Sequence, residues 1–182
     1  MFREIVIMSK KSLDFSKKTL KDERIMLVGG AGFIGHHLAL ALREKEADVM
    51  VADNLQINNI VQILGSRDYP DHQRNMYIKF IYDRFELMRT NGVSFSDIDA
   101  RNLNSLNDAY SSFKPSKIVH LAAISSAGVA NKNPTLAYDI QINSLRNVID
   151  ICKNNLGVTN QIVFMSSSTI YGDFSGKSVS EE

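Results

Sequence analysis

The sequence predicts an α/β domain built on a doubly wound parallel sheet. Three observations carry this. Short apolar runs alternate with helical patterns from residue 24 to residue 168. Three glycines, Gly29, Gly32 and Gly35, separate the first apolar run from the first helical pattern. A carboxylate, Asp53, closes the second apolar run. Such alternation is the mark of right-handed βαβ units, with helices on both faces of the sheet.

The elements follow in order. Arg24 to Val28 reads as a strand and Phe33 to Glu46 as a helix. "DVMVAD", 48 to 53, is a second strand. The stretch 54 to 64 has apolar residues at 57, 60, 61 and 64, which is helical spacing. Gly65 and Pro70 then mark a loop. Residues 76 to 92 form a helical pattern closed by Asn91-Gly92, and "VSFSDID", 93 to 99, an alternating strand. "NSLNDAYSSF", 104 to 113, is a helix followed by Pro115; "KIVHLAA", 117 to 123, is a buried strand. Pro134 to Asn155 reads as one long helix before Gly157, and "QIVFMSSS", 161 to 168, as a fifth strand. Residues 1 to 23 form a polar, basic extension ahead of a domain over 24 to 182.

Bulk properties exclude several classes. A length of 182 residues suits one core. The formal net charge is +1, and the positive residues are scattered apart from Lys10, Lys11, Lys17, Lys18 and Lys21, so nucleic acid is not an expected partner. One cysteine, Cys152, in an apolar helical pattern fits packing and a reducing compartment. No apolar run reaches the length of a membrane span, and the cytoplasm is the expected location.

The glycines have a chemical reading. Gly29 permits a tight turn off the strand, Gly32 lets a diphosphate approach the backbone, and Gly35 lets the helix pack closely. The first helical turn, with Phe33 and Ile34, offers free N–H groups and partial positive charge to phosphates. Asp53 follows Gly29 by 24 residues, close to the offset of the acid that accepts hydrogen bonds from the adenosine ribose. A carboxylate there repels a 2′-phosphate, so the expected cofactor is NAD. His36 and His37 read as packing or surface residues.

Several separated motifs carry a resemblance. "GGAGFIG" at 29 to 35, "DN" at 53 and 54, "DAR" at 99 to 101, "HLAA" at 120 to 123 and "SSSTIYGD" at 166 to 173 occur in that order. From about residue 24 the chain resembles the N-terminal half of extended short-chain dehydrogenases/reductases. More narrowly it resembles the NAD-dependent epimerase/dehydratase group acting on nucleotide sugars. The resemblance implies a Rossmann-type fold. It also implies that Asn54 follows the ribose-binding acid and that Asp99 and the Ala100 N–H meet adenine. Leu121, Ala122 and Ala123 would pass beside the diphosphate and ribose. Ser166 would lie near the nicotinamide, and Ser167 would hydrogen-bond the sugar hydroxyl that reacts. Gln141 stands where the family usually has an Asn, and Val28 where it usually has a Thr. The segment between Asp53 and Asp99 is longer than the resemblance leads one to expect, which points to an extra helical pair beside the adenine end.

The family's proton-transferring Tyr lies in a Tyr-x-x-x-Lys motif some way beyond the serines, and this chain ends 15 residues after Ser167. Tyr110 and Lys114 match the motif formally, but they lie in the helix before the fourth strand, at the amino edge of the sheet. The resemblance therefore implies a chain interrupted after the fifth strand, with a cofactor cradle and one catalytic hydroxyl. Related 4,6-dehydratases carry Asp-Glu where this chain has Ser168 and Thr169, which favours epimerisation or simple oxidoreduction. Two readings follow: the NAD-binding part of a nucleotide-sugar epimerase, or a non-catalytic NAD-binding module or scaffold that needs a partner chain. Family members often pair through helices matching 103 to 113 and 134 to 155, so a homodimer is a further expectation. No third ligand is spaced to suggest a metal site.

Overall fold

The computed structural model describes residues 19–57, 59–124 and 126–172. The basic cluster Lys10 to Lys18 and Asp173 lie outside them. Five strands, β1 (Arg24–Val28), β2 (Asp48–Asp53), β3 (Ser94–Asp97), β4 (Lys117–His120) and β5 (Gln161–Phe164), form one sheet in the order β3-β2-β1-β4-β5. All four pairings are parallel. The chain leaves β1 toward β2 on one side and later returns to β4 on the other. The carboxyl ends of β1 and β4 therefore flank the crossover, where ligands of open α/β sheets bind.

Strand alternation builds two cores. Met26, Val28, Ala52 and Ile118 face one side, against Leu106, Ala109, Tyr110 and Phe113 of α4 (Leu103–Phe113) and Val148, Ile151 and Cys152 of α7 (Ser144–Asn154). Ile25, Leu27, Val49, Val51 and Val119 face the other. Ala39 of α1 (Phe33–Glu44) and Met88 of α3 (Asp71–Thr90) cover that side. Burial on both faces explains why β1 and β2 read as almost unbroken apolar runs. Cys152 is buried among apolar neighbours, as its pattern implied.

Several boundaries differ from the sequence expectation. The helical spacing at 54 to 64 yields only α2 (Ile60–Gly65), because Asn59 caps it by accepting from the Gln62 N–H. Helix α3 starts at Asp71, five residues before its apolar pattern, and runs 20 residues. Between the parallel strands β2 and β3, α3 is the crossover helix; α2 packs on it, and α3 packs along α1. The long helix expected over 134 to 155 forms as one continuous helical run, 134–154, with a π-helical turn inside it. A short α5 (Ala127–Lys132) precedes α6 (Pro134–Tyr138), a π-helical turn (Asp139–Asn143) and α7. β3 is confined to 94–97, β4 stops at His120 and β5 at Phe164, so Leu121–Ala123 and Ser166–Ser167 are loop rather than strand. The extension is not wholly separate from the domain either. Leu20 packs on the second core, its N–H donates to Lys45 O at 2.7 Å, and Asp48 N–H donates to Glu23 O at 2.9 Å.

Candidate functional site: a dinucleotide cradle

The site is built where β1 ends. Gly29 has φ +76°, a conformation that strains residues with a Cβ. Its N–H donates to Ala52 O at 2.8 Å, tying the turn to β2. A Cβ here would lie 2.5 Å from Ala122 N, so the loop after β4 rests on the turn backbone. Leu121 N–H donates to Val28 O at 2.7 Å and holds that loop in place. A Cβ on Gly35 would lie 2.2 Å from Gly30 O, so the first turn of α1 sits directly on the incoming chain.

Gly32 differs from both. It is the N-cap of α1 with φ −71°, and no side chain among the described residues caps the helix. A Cβ on it would meet nothing nearer than Gly29 O at 3.9 Å. The space is open just where a phosphate would approach unsatisfied helix N–H groups. Phe33 and Ile34 follow, both largely exposed. His36 is buried behind them, its Nδ1 3.0 Å from Gly32 O. Burial, with help from His37 and Arg84, lowers its pKa against the opposing effect of the Gly32 carbonyl.

Asp53 stands at the end of β2. One carboxylate oxygen accepts from Ala31 N–H at 2.9 Å and the other from Leu55 N–H at 2.8 Å. The carboxylate thus fixes the shape of the glycine turn and keeps lone pairs for further donors. Asn54 Nδ2 donates to Asp99 Oδ2 at 3.2 Å, joining the loops after β2 and β3. Asp99 is also gripped by Arg101, whose N–H and guanidinium donate to it. The Arg101 hydrogen bonds hold the Asp99 carboxyl below the usual carboxylate range. Four N–H groups already serve Asp99, so its side chain is much less available to adenine than the resemblance implied. Ala100 is instead braced through its carbonyl, which accepts from Asn147 Nδ2 at 3.0 Å. Sequence reading missed Asn147; the signal was a lone amide in the buried stripe of α7.

On the β4 side, His120 is 1% exposed, and its Nε2 lies 2.8 Å from Ser144 Oγ. The Ser144 hydroxyl donates to Ile140 O, so the imidazole donates through Nε2–H. Nδ1 is buried with no partner among the described residues. Burial depresses the His120 pKa to about 4. The π-helical turn carries Gln141, whose amide approaches Ile124 O at 3.5 Å, a weak contact. Beyond β5, Met165 N–H donates to His120 O at 3.1 Å, which leads Ser166 and Ser167, both exposed, out past the carboxyl edge.

Tyr110 lies at the opposite edge. It is buried, and its hydroxyl is 2.9 Å from Thr159 Oγ1, which donates to Pro115 O ahead of β4. Burial raises its pKa. It plays no part in the cradle. Among the described residues, no cluster of His, Cys, Asp or Glu has the arrangement of a metal site, and no helix is long and apolar enough to cross a membrane.

A parallel sheet in this order, with a bare glycine turn at its crossover and an acid at the end of β2, defines a dinucleotide-binding α/β domain. The chain belongs to the NAD dependent epimerase/dehydratase family, whose model matches residues 25–182. It is 31% identical over 155 residues to bifunctional protein GAL10 of Candida maltosa, covering 85% of this chain and 88% of that one. It is 26% identical over 152 residues to the UDP-glucose 4-epimerase of Dictyostelium discoideum, covering 84% of this chain but 38% of the relative. Bifunctional protein gal10 of Schizosaccharomyces pombe is covered over only 19% of its length, at 27% identity. Among solved structures, the Thermus thermophilus UDP-glucose 4-epimerase complexed with NAD is 27% identical (TM-score 0.53; 74% of this chain, 35% of that one). The Stenotrophomonas maltophila enzyme solved with bound NAD shares the fold at 21% identity (TM-score 0.65; 87% and 41%).

Proposed function

We propose that this chain is the NAD-binding part of a nucleotide-sugar epimerase or a related sugar-modifying oxidoreductase. The observation that carries the reading is the open, uncapped start of α1 at Gly32, set beside Asp53 at the sheet crossover. The N–H groups of Gly32, Phe33, Ile34 and Gly35 would receive the diphosphate, and Asp53 the ribose diol. Asn54, Asp99 and Ala100 border the adenine, with the Ala100 N–H as its closer partner. Leu121, Ala122 and Ala123 form the floor, and Gln141 steadies the loop carrying Ile124. NAD, when bound, supplies the hydride acceptor. Ser166 would border the nicotinamide. Ser167 would hydrogen-bond the reacting sugar hydroxyl and orient it, without serving as the base.

Among the described residues, no Tyr–Lys pair stands at this edge, since Tyr110 is buried at the other. In this reading the chain binds cofactor, and the residues that turn over sugar come from a longer enzyme or from a partner chain. A homodimer through the outer faces of α4 and α7, where Leu103 and Ile149 are exposed, belongs to the same reading, as does a cytoplasmic location. The test is calorimetric titration with NAD, followed by incubation with UDP-glucose and analysis for a sugar product, because epimerisation returns the hydride to the sugar and leaves no net reduced nicotinamide. Saturable heat without product supports the proposal. No heat with folded protein refutes the cofactor assignment, and turnover by the chain alone refutes the need for further residues. Sedimentation tests the dimer, which Ile149→Lys should dissociate.

A further inference from the structure

Helix α3 makes the crossover between β2 and β3, and it reaches the glycine turn. Ile81 and Met88 are buried on its inner stripe, and Arg84 lies between them, one turn from each. Arg84 Nη1 donates to Ala31 O at 3.0 Å. Ala31 itself is fully buried, and its N–H donates to Asp53 Oδ2 at 2.9 Å. The Ala31 residue is thus held from two directions, by an acid of the sheet at its amide and by a base of α3 at its carbonyl. Arg84 is also near enough to Asp53 and to His36 for their charges to interact.

A half-buried guanidinium on an inner helix stripe is costly for simple packing, where a leucine would serve. Its position has a consequence for ligands. The residue after Ala31 is Gly32, whose outer side is the open phosphate approach. A charge-assisted hydrogen bond at Ala31 O fixes the orientation of the Ala31–Gly32 peptide, and so of the N–H that meets the diphosphate. The same cation offsets the negative field of Asp53, which would otherwise act in full on a phosphate at the ribose 2′ position.

We propose that Arg84 is a positioning residue of the cofactor site: it fixes the Ala31–Gly32 peptide and offsets the Asp53 carboxylate, thereby setting how strongly the site prefers NAD over NADP. This rests on the reading that the glycine turn and Asp53 hold NAD. The test measures NAD and NADP affinities of the 182-residue chain and of Arg84→Met, Arg84→Gln and Arg84→Lys, each corrected for folded fraction by circular dichroism. Loss of a charge-assisted hydrogen bond predicts that Arg84→Met weakens NAD by about ten- to a hundredfold. NADP should fall by a larger factor still, because Asp53 then acts without its counter-charge. Arg84→Gln keeps an N–H donor but no charge, and should show the same widened preference for NAD. Arg84→Lys should keep the wild-type preference. A purely structural Arg84 would lower stability but leave the NAD to NADP ratio of folded protein unchanged, and that result overturns the proposal. Should Arg84→Met fail to fold, the ratio in Arg84→Gln decides in the same way. Wild-type chain that binds neither dinucleotide removes the cofactor reading itself. Wild-type binding with unaltered ratios removes only the role of Arg84.

Discussion

His120 makes an acid-stability prediction that can be worked from the structure. The imidazole is 1% exposed at the end of β4, with Nε2 bonded to Ser144 and Nδ1 facing no partner among the described residues. Protonation would add a charge in a site with no carboxylate bonded to the ring, and burial lowers the pKa from the ordinary 6.5 to about 4. In the unfolded chain the ring takes up its proton near the ordinary value. Between these two values the unfolded state binds more protons, so stability declines as pH falls through that window and levels off below it. The gap corresponds to about 3 kcal/mol at full extent, a large share of a domain's stability. His120→Gln keeps a donor toward Ser144 and removes the titration. Urea unfolding at several pH values between 7 and 4 should show wild type losing about 3 kcal/mol more than the variant across that range. The diagnostic is the slope with pH, whatever stability the variant has at pH 7. Parallel stability–pH curves would refute the account of a histidine buried in its neutral form.

The glycine turn supplies a pair of contrasting substitutions. Gly32→Ala places its Cβ in open space at φ −71°, so stability should change by less than about 1 kcal/mol while NAD binding weakens at least about tenfold, by calorimetry. Gly35→Ala drives a Cβ to within 2.2 Å of Gly30 O, so thermal unfolding should show a loss of about 2 kcal/mol or more alongside lost binding. Asn147→Leu removes the donor shared by Ala100 O and Arg101 O at 3.0 and 2.9 Å. It should cost about 1–3 kcal/mol in urea unfolding and raise amide exchange at 100–102. Wild-type exchange in that variant would remove Asn147 as the brace of the loop after β3.

The first third of the domain was legible because several physical demands fall on the same residues. β1 and β2 are covered on both faces, which leaves unbroken apolar runs at 25–28 and 49–52. Gly29 and Gly35 are fixed by backbone contacts that no side chain would survive, so the turn shows in the residue types themselves. Other elements left weaker traces. The first turns of α3 are mostly solvent-facing, and an apolar pattern cannot locate a helix start that buries nothing. The π-helical turn at 139–143 adds a residue to one turn of a helix that is continuous over 134–154, so spacing showed the helix but not the widened turn. β4 and β5 end earlier than their composition suggests, because Leu121–Ala123 and Met165–Ser167 continue in small or apolar residues after the ladder stops.

Within the cradle, local motifs were readable and long-range partners were not. Asp53 was found from its distance to Gly29, but its bond to the Ala31 N–H needs the fold. Arg84 lies 53 residues from the carbonyl it holds, and Asn147 lies 47 residues from Ala100 O. Nothing in the spacing of either residue announces its target. Asp99 shows the converse, since its motif was plain while its saturation by Arg101 and Asn54 depends on side-chain geometry.

The most direct measurement is isothermal titration of folded chain with NAD, beside the Asp53→Ala variant. The account predicts saturable binding by wild type and a loss of about tenfold or more in the variant, which forfeits both the ribose acceptor and the anchor of Ala31. Equal affinity in the two proteins, with both shown to be folded, would contradict it.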